Sequence, residues 1–263
     1  MTIEASLAAC EETVRRVDMD RYLSALFAPA ERRPLLFALY AFNHELAHIG
    51  EAAREPMAAL IRLQWWREAL EGARDGHPRA HDVVRGLAEM FARVGAPLEL
   101  FEPLLSARAF DSGNNHFASL ADLEAYGDAT AGSVMRIAAR ILDEHEVDDA
   151  LFRHAGTAFA LVGILRSLPL RGARVQNFLP RALGDDRAEV VRAIAANALS
   201  HYAAAHAMRF PKTILPALLP ASLVPLYAKR LVAAGDGALR HTVDTPVYRR
   251  QLAMLKGAFR QRV

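Results

Sequence analysis

The sequence predicts an all-α fold. Apolar residues recur at steps of three and four along most of the 263 residues, and no run alternates apolar and polar side chains as a half-buried strand would. Helix starts and stops are marked by Pro, Gly and capping residues. With 52% hydrophobic and 24% charged residues, the chain can build a sizeable core and does not have the composition of a disordered one. No linker, repeat or low-complexity tract divides it, so a single domain over residues 1–263 is expected.

The elements follow in order. Ile3, Leu7, Cys10, Val14 and Val17 share one face of a first helix. A second starts near Pro34, a residue suited to a first turn, and runs through Leu36, Phe37, Tyr40, Phe42 and Leu46 toward Glu51. A third opens at Glu55-Pro56 and stops at Asp75-Gly76. Further helices are expected over Ala80–Val94, Pro97–Phe110, Ser119–Leu142, Asp148–Leu168, Asp185–Arg209, Ala221–Ala234 and Pro246–Arg260. Ser119 with Asp122 forms an N-cap with an acid in the first turn. The longest loop is expected at Pro169–Pro180.

Charge and cysteine content narrow the function classes. Lys plus Arg is 32 against 30 for Asp plus Glu, a net charge of +2, which gives no electrostatic basis for a nucleic-acid partner. Cys10 is the single cysteine, so an internal disulfide and a Cys-based metal cluster are excluded, and a reducing compartment fits. Thr2, Ile3 and Glu4 followed by Glu11 and Glu12 lack the basic start and apolar run of a secretory signal. The most apolar stretch, Ile214 to Ala234, is broken by Pro216, Pro220 and Pro225 and carries Lys229 and Arg230. It is expected to form a buried helical hairpin; peripheral membrane contact is the alternative.

Two sets of residues carry possible chemistry. His44-Glu45-Leu46-Ala47-His48 reads H-E-x-x-H, which on a helix puts His44 and His48 one turn apart where they could hold zinc, with Glu45 polarising a water. No local continuation supplies a third ligand. The second set is longer. The segment from Leu36 to Glu51 resembles the first signature of the squalene/phytoene synthase family, a helix reading alYaF followed by D-D-I-V-D. Tyr126 to Val134 resembles its Y-x-x-x-(V/T)-A-G-x-V. Gly156 to Pro180 is similar, without gaps, to its G-x-A-x-Q-L-x-N-I-L-R-D-x-x-x-D and following L-P, with Phe178 where the family has Tyr.

The resemblance implies an isoprenoid-synthase-like helical bundle with a central cavity, in which the helix of Leu36 to Glu51 faces that of Asp148 to Leu168. It implies Mg²⁺ held by aspartates against a prenyl diphosphate, since clustered carboxylates recruit the cations that neutralise a departing polyanion. At the matching positions this chain has Ala47, His48 and Glu51, then Ala160, Gly163, Ser167 and Arg171, so only Glu51 keeps a carboxylate. Arg171 places a cation where a metal ligand belongs. Details such as Arg62-Leu63-Gln64-Trp65-Trp66 and Leu165-Arg166-Ser167-Leu168-Pro169 resemble a divergent branch that includes a mitochondrial complex I assembly factor and lacks the aspartate pairs.

The resulting expectation is a protein without the family's catalysis that binds a prenyl diphosphate or lipid-like ligand, or a protein partner, with no cofactor and a cytoplasmic or peripheral inner-membrane location. The ligand-binding candidates are Tyr40, Asn43, His44, Ala47, His48, Glu51, Tyr126, Gly132, Ala160, Gly163, Arg166, Ser167 and Arg171. The alternatives are a transferase whose Mg²⁺ site has moved to Glu45, Glu51 and Asp128, and a zinc hydrolase through His44 and His48. Trp65 and Trp66 are read as packing residues, and His201, Tyr202 and His206 as structural. Arg62, Arg67, Arg166, Arg171 and Arg174 would make an anion-binding patch if their helices converged.

Overall fold

Helices begin where the capping residues place them. In this computed structural model, which describes residues 2–52, 55–113, 115–170, 177–243 and 245–263 but not the side chains of Glu51 and Ala52, the Thr2 side chain caps helix α1 (Ile3–Val17) by accepting from the Ala5 amide. Asp18 ends α1 and caps a short helix, α2 (Met19–Ala25), which the periodicity does not announce. Then come α3 (Arg33–Ala52), α4 (Pro56–Arg74), α5 (Asp82–Val94), α6 (Glu102–Phe110), α7 (Leu120–Gly127), α8 (Ser133–Leu142), α9 (Asp149–Ser167), α10 (Arg187–Ala207), α11 (Leu215–Leu218), α12 (Val224–Ala234) and α13 (Val247–Arg260). Among the described residues there is no strand.

Two expected helices are subdivided. Pro97–Phe110 becomes a 3₁₀ turn at Leu98–Leu100 and then α6, whose first turn holds Pro103. Ser119–Leu142 begins with a reciprocal capping box between Ser119 and Asp122, but Asp128–Gly132 between α7 and α8 is a π-helical turn. Of the expected loop at Pro169–Pro180, Leu168–Leu170 is a 3₁₀ turn and residues 171–176 lie outside the described residues.

The chain packs as two compact units. Unit 1 comprises Met1–Gly113 and Ser133–Glu146; unit 2 comprises Asn114–Gly132 and Val147–Val263. In unit 1 the central element is α3: every residue from Leu35 to Phe42 is buried, as expected for a helix apolar on all sides. It packs against α1, α5, α4, α6 and α8. An aromatic chain fills the space beside it, with Phe42 at 5.1 Å from Trp66 and 5.8 Å from Phe101, and Phe101 at 5.5 Å from Phe91.

In unit 2, α9 is central and packs on α7, the π turn, α10 and α12. The apolar stretch that begins at Ile214 folds into short turns, α11 and α12, and its residues Ile214, Leu218, Leu219, Leu223, Val224, Tyr227 and Leu231 are core. By length and composition 212–239 resembles a membrane span, yet 56% of its most apolar window is buried within the fold. The segment is buried as expected, but the proline breaks make it a series of short turns leading into α12 and not a hairpin of two helices.

Candidate functional site

In unit 1 the candidate residues lie along α3. Tyr40, Asn43, His44, Ala47 and Glu51 fall at helical spacing on one side. Tyr40 is 2% exposed, and burial pushes its phenol up to about 12, so it is a neutral packing residue and hydrogen-bonding group at ordinary pH. The Arg21 guanidinium lies 5.8 Å from its ring and is tied to Asp18 at 2.7 Å. Asn43 is buried, with its amide oxygen 3.5 Å from Arg108 of α6; Arg108 in turn pairs with Asp111 at 3.1 Å. This side of α3 is thus bounded by two arginines already engaged with carboxylates. The side chain of Glu51 lies outside the described residues.

Glu45 and His48 of the H-E-x-x-H run sit further round α3. The rings of His44 and His48 are 4.0 Å apart, and His48 Nδ1 lies 2.8 Å from the His44 carbonyl oxygen, so that ring nitrogen is spent on its own helix. Burial, reinforced by His48, lowers the His44 pKa. No group of three or more His, Cys, Asp or Glu side chains is placed to hold a metal ion among the described residues. Glu45 and His48 instead border a cavity of about 260 Å³ whose other walls are Ile49, Arg62, Trp65, Trp66 and His81. Trp66 is buried, in line with the packing role expected for it, while the Trp65 ring also carries the Arg79 guanidinium at 5.1 Å.

In unit 2 the remaining motifs converge. Tyr126 and Phe178, 52 positions apart in the chain, both pack on Phe117, at 5.4 and 6.0 Å. Backbone bonds from Phe117 to Asn177 and from Arg181 and Ala182 back to Phe117 and Ala118 fix that meeting. Gly132, ending the π turn, lies against Gly156 of α9 so closely that a Cβ on Gly156 would be 2.3 Å from the Gly132 Cα. Small residues here are a packing requirement. On the C-terminal half of α9, Ala160, Gly163, Arg166 and Ser167 are all partly exposed, and open space lies where a Gly163 side chain would be. Ser167 donates to the Ile164 carbonyl, and Arg166 lies over the Tyr227 ring at 3.8 Å. Arg171 and Arg174 lie outside the described residues, and Arg67 is held by Glu102 through bonds of 3.0 and 2.8 Å.

One polar chain in unit 2 has no sequence signature. His154 of α9 and His201 of α10 share a hydrogen bond between their Nδ1 atoms at 2.9 Å, one donating and the other accepting. His201 Nε2 is 3.8 Å from Glu124, which accepts from Asn197 at 2.7 Å. The residues read as structural are indeed tied into packing: the Tyr202 ring is 5.7 Å from His206, which contacts the Val263 carbonyl. Burial lowers the His154 pKa, and His201 and Arg153 lower it further against Asp128 and Asp148. His44 shifts the same way, so both favour the neutral form in the fold. Their contribution is fully present above the ordinary value of 6.5 and is lost as pH falls through the lower folded values. The melting temperature should therefore fall on the acid side of 6.5, and His154→Gln should flatten that fall. An unchanged slope in a pH series of thermal melts would reject His154 as its source.

The fold that carries these signatures is one that known proteins share. A sequence model described as squalene/phytoene synthase matches residues 14–251. The complex I assembly factor 6 of Homo sapiens is 30% identical over 172 residues, which is 65% of this chain and 52% of that protein. The phytoene synthase of Rhodobacter capsulatus is 29% identical over 189 residues, 68% of this chain and 53% of its own length. The chain spans about half the length of these curated relatives. A crystal structure of a dehydrosqualene synthase with ligand superposes with a TM-score of 0.80 at 18% identity, covering 98% of this chain and 97% of the other. Squalene synthase HpnC from Alicyclobacillus acidocaldarius gives 0.68 at 21% identity, over 93% and 96%. These likenesses establish the isoprenoid-synthase-like helical fold, and the match over residues 14–251 establishes that the chain belongs to the squalene/phytoene synthase family.

Proposed function

We propose that this chain uses the family scaffold to bind a prenyl or lipid-like ligand and does not carry out head-to-head condensation. The observation that carries this reading is the donor set at the positions where the family holds Mg²⁺. Ala47 and Ser167 offer no carboxylate, His48 is an imidazole where the family has an aspartate, and Arg171 is a cation. Glu51 alone keeps an acid. Mg²⁺ in a diphosphate site is bound through carboxylates and phosphate oxygens together, and a lone carboxylate is a poor anchor for a cluster of such ions. The residues at these positions therefore do not fit the metal. On α9, Ala160, Gly163 and Ser167 form an uncharged, partly open face suited to a chain of methylenes and isoprene units. The similarity to complex I assembly factor 6 supports a role in assembly of a respiratory complex, with a protein partner beside the lipid-like ligand.

The test is incubation of the purified chain with radiolabelled farnesyl and geranylgeranyl diphosphate, with and without Mg²⁺, scoring product and retained ligand. Retention without a condensed product, independent of metal, is the expected result. Metal-dependent formation of a condensed hydrocarbon or alcohol would overturn it in favour of a transferase using Glu45, Glu51 and Asp128. Neither product nor retention would leave the protein partner as the functional ligand, to be sought with respiratory-complex subunits.

A further inference from the structure

Helix α13 is anchored on one side and bare on the other. Met254 and Gly257 are buried, and Gly257 sits so near Ser222 and Leu219 that a Cβ there would come within 3.3 and 3.4 Å of them. The opposite side carries Tyr248, Leu252, Leu255 and Phe259, which are 57, 61, 53 and 91% exposed. Their spacing of four, three and four residues lines them up as one stripe from Tyr248 to Phe259. Four large apolar side chains in a row exceed the scatter of single exposed hydrophobics normal on a protein surface. Beside the stripe runs a second row, Arg249, Lys256 and Arg260, all exposed. From Thr245 to Val263 the chain holds five cations and no acid.

We propose that α13 is a membrane-docking helix that lies flat on an anionic lipid surface. The stripe enters the boundary between headgroups and acyl chains, and Arg249, Lys256 and Arg260 meet lipid phosphates. Charge selects this occupant. A second copy docking through the same face would bring one basic row against another, which repels. An anionic bilayer offers an apolar layer and a negative plane together, the pairing that a basic amphipathic helix matches. The apolar segment at 212–239 is not the contact, because its side chains are largely spent on the core that supports α13.

The test is co-sedimentation of the full chain with vesicles of phosphatidylcholine, with and without phosphatidylglycerol, at low and high salt. Binding is expected only to the anionic vesicles, and weaker in high salt. The combined Arg249→Gln, Lys256→Gln and Arg260→Gln variant should bind roughly 100-fold more weakly, from about a fivefold loss per cation near an anionic surface. Leu252→Ser with Phe259→Ser should also abolish binding while leaving the thermal melt unchanged, since both side chains point away from the core. Independently, Phe259→Trp should show a blue-shifted emission on anionic vesicles. Vesicle binding that survives the serine variant with no Trp shift would overturn the proposal, as would no binding to any vesicle. A dimer that Phe259→Ser dissociates, seen by sedimentation without lipid, would also overturn it by giving the stripe to a second copy.

Discussion

Replacing Gly156 with alanine is expected to destabilise unit 2 by about 3 kcal/mol, the upper end of what overpacking a well-filled site costs. The added Cβ would lie 2.3 Å from the Gly132 Cα and 2.4 Å from its nitrogen. Both are backbone atoms, so no rotamer change relieves the contact; α9 or the π turn must move. Moving α9 also strains the Thr157 contact to the Glu124 carbonyl and the pairing of His154 with His201. Urea unfolding monitored by circular dichroism would measure the loss, and for a chain of this size the melting temperature should drop by about 6–12 °C. Gly163→Ala is the matched control, because nothing lies within 4 Å of a Cβ there. It should be neutral or stabilise by up to about 1 kcal/mol, as alanine in place of glycine within a helix does. Equal stability of the two variants would refute the close approach of Gly132 and Gly156.

Asp111→Ala is expected to cost about 3–5 kcal/mol, the loss typical of removing one partner from a buried ion pair. Arg108 and Asp111 are 3.1 Å apart with side chains only 11 and 6% exposed, and Arg108 also reaches the Asn43 amide oxygen. Without Asp111 the guanidinium keeps its charge in a site that offers little water, because arginine does not deprotonate in this range. Adding Arg108→Met should recover part of the loss by removing the guanidinium that Asp111 neutralises. A double-mutant cycle in chemical denaturation would give the coupling; additive single and double changes would mean that the pair does not act as a unit.

The outline of the fold was legible in the sequence because caps and periodicity are local. Pro34, Pro56 and the Ser119–Asp122 box each act within a turn or so of themselves, and α3, α4 and α7 begin where they indicate. The all-α class followed from that periodicity, and the family from the order of the Tyr40, Tyr126, Gly156 and Phe178 motifs. Helix α2 was missed because seven residues give too little periodicity beside the stronger α1 and α3. The π turn was missed because one extra residue per turn does not interrupt an apolar pattern read over a long window.

Residue types at each motif position are a matter of sequence: a helix with one retained acid at Glu51, small residues at Gly132 and Gly156, and an aromatic at Phe178. What those residues meet is set by packing between elements distant in the chain. It joined His154 to His201, 47 positions away, set Arg108 against Asn43 across 65, and closed a cavity around Glu45 and His48 with Trp65 and His81. It also chose which side of α13 is buried. Met254 and Gly257 lie on one side and Tyr248, Leu252, Leu255 and Phe259 on the other, and the larger apolar stripe is the exposed one. Periodicity assigns residues to faces of a helix, but burial depends on the surface each face meets, and the turn at Leu219–Leu223 admits the small Gly257 side and not the bulky one.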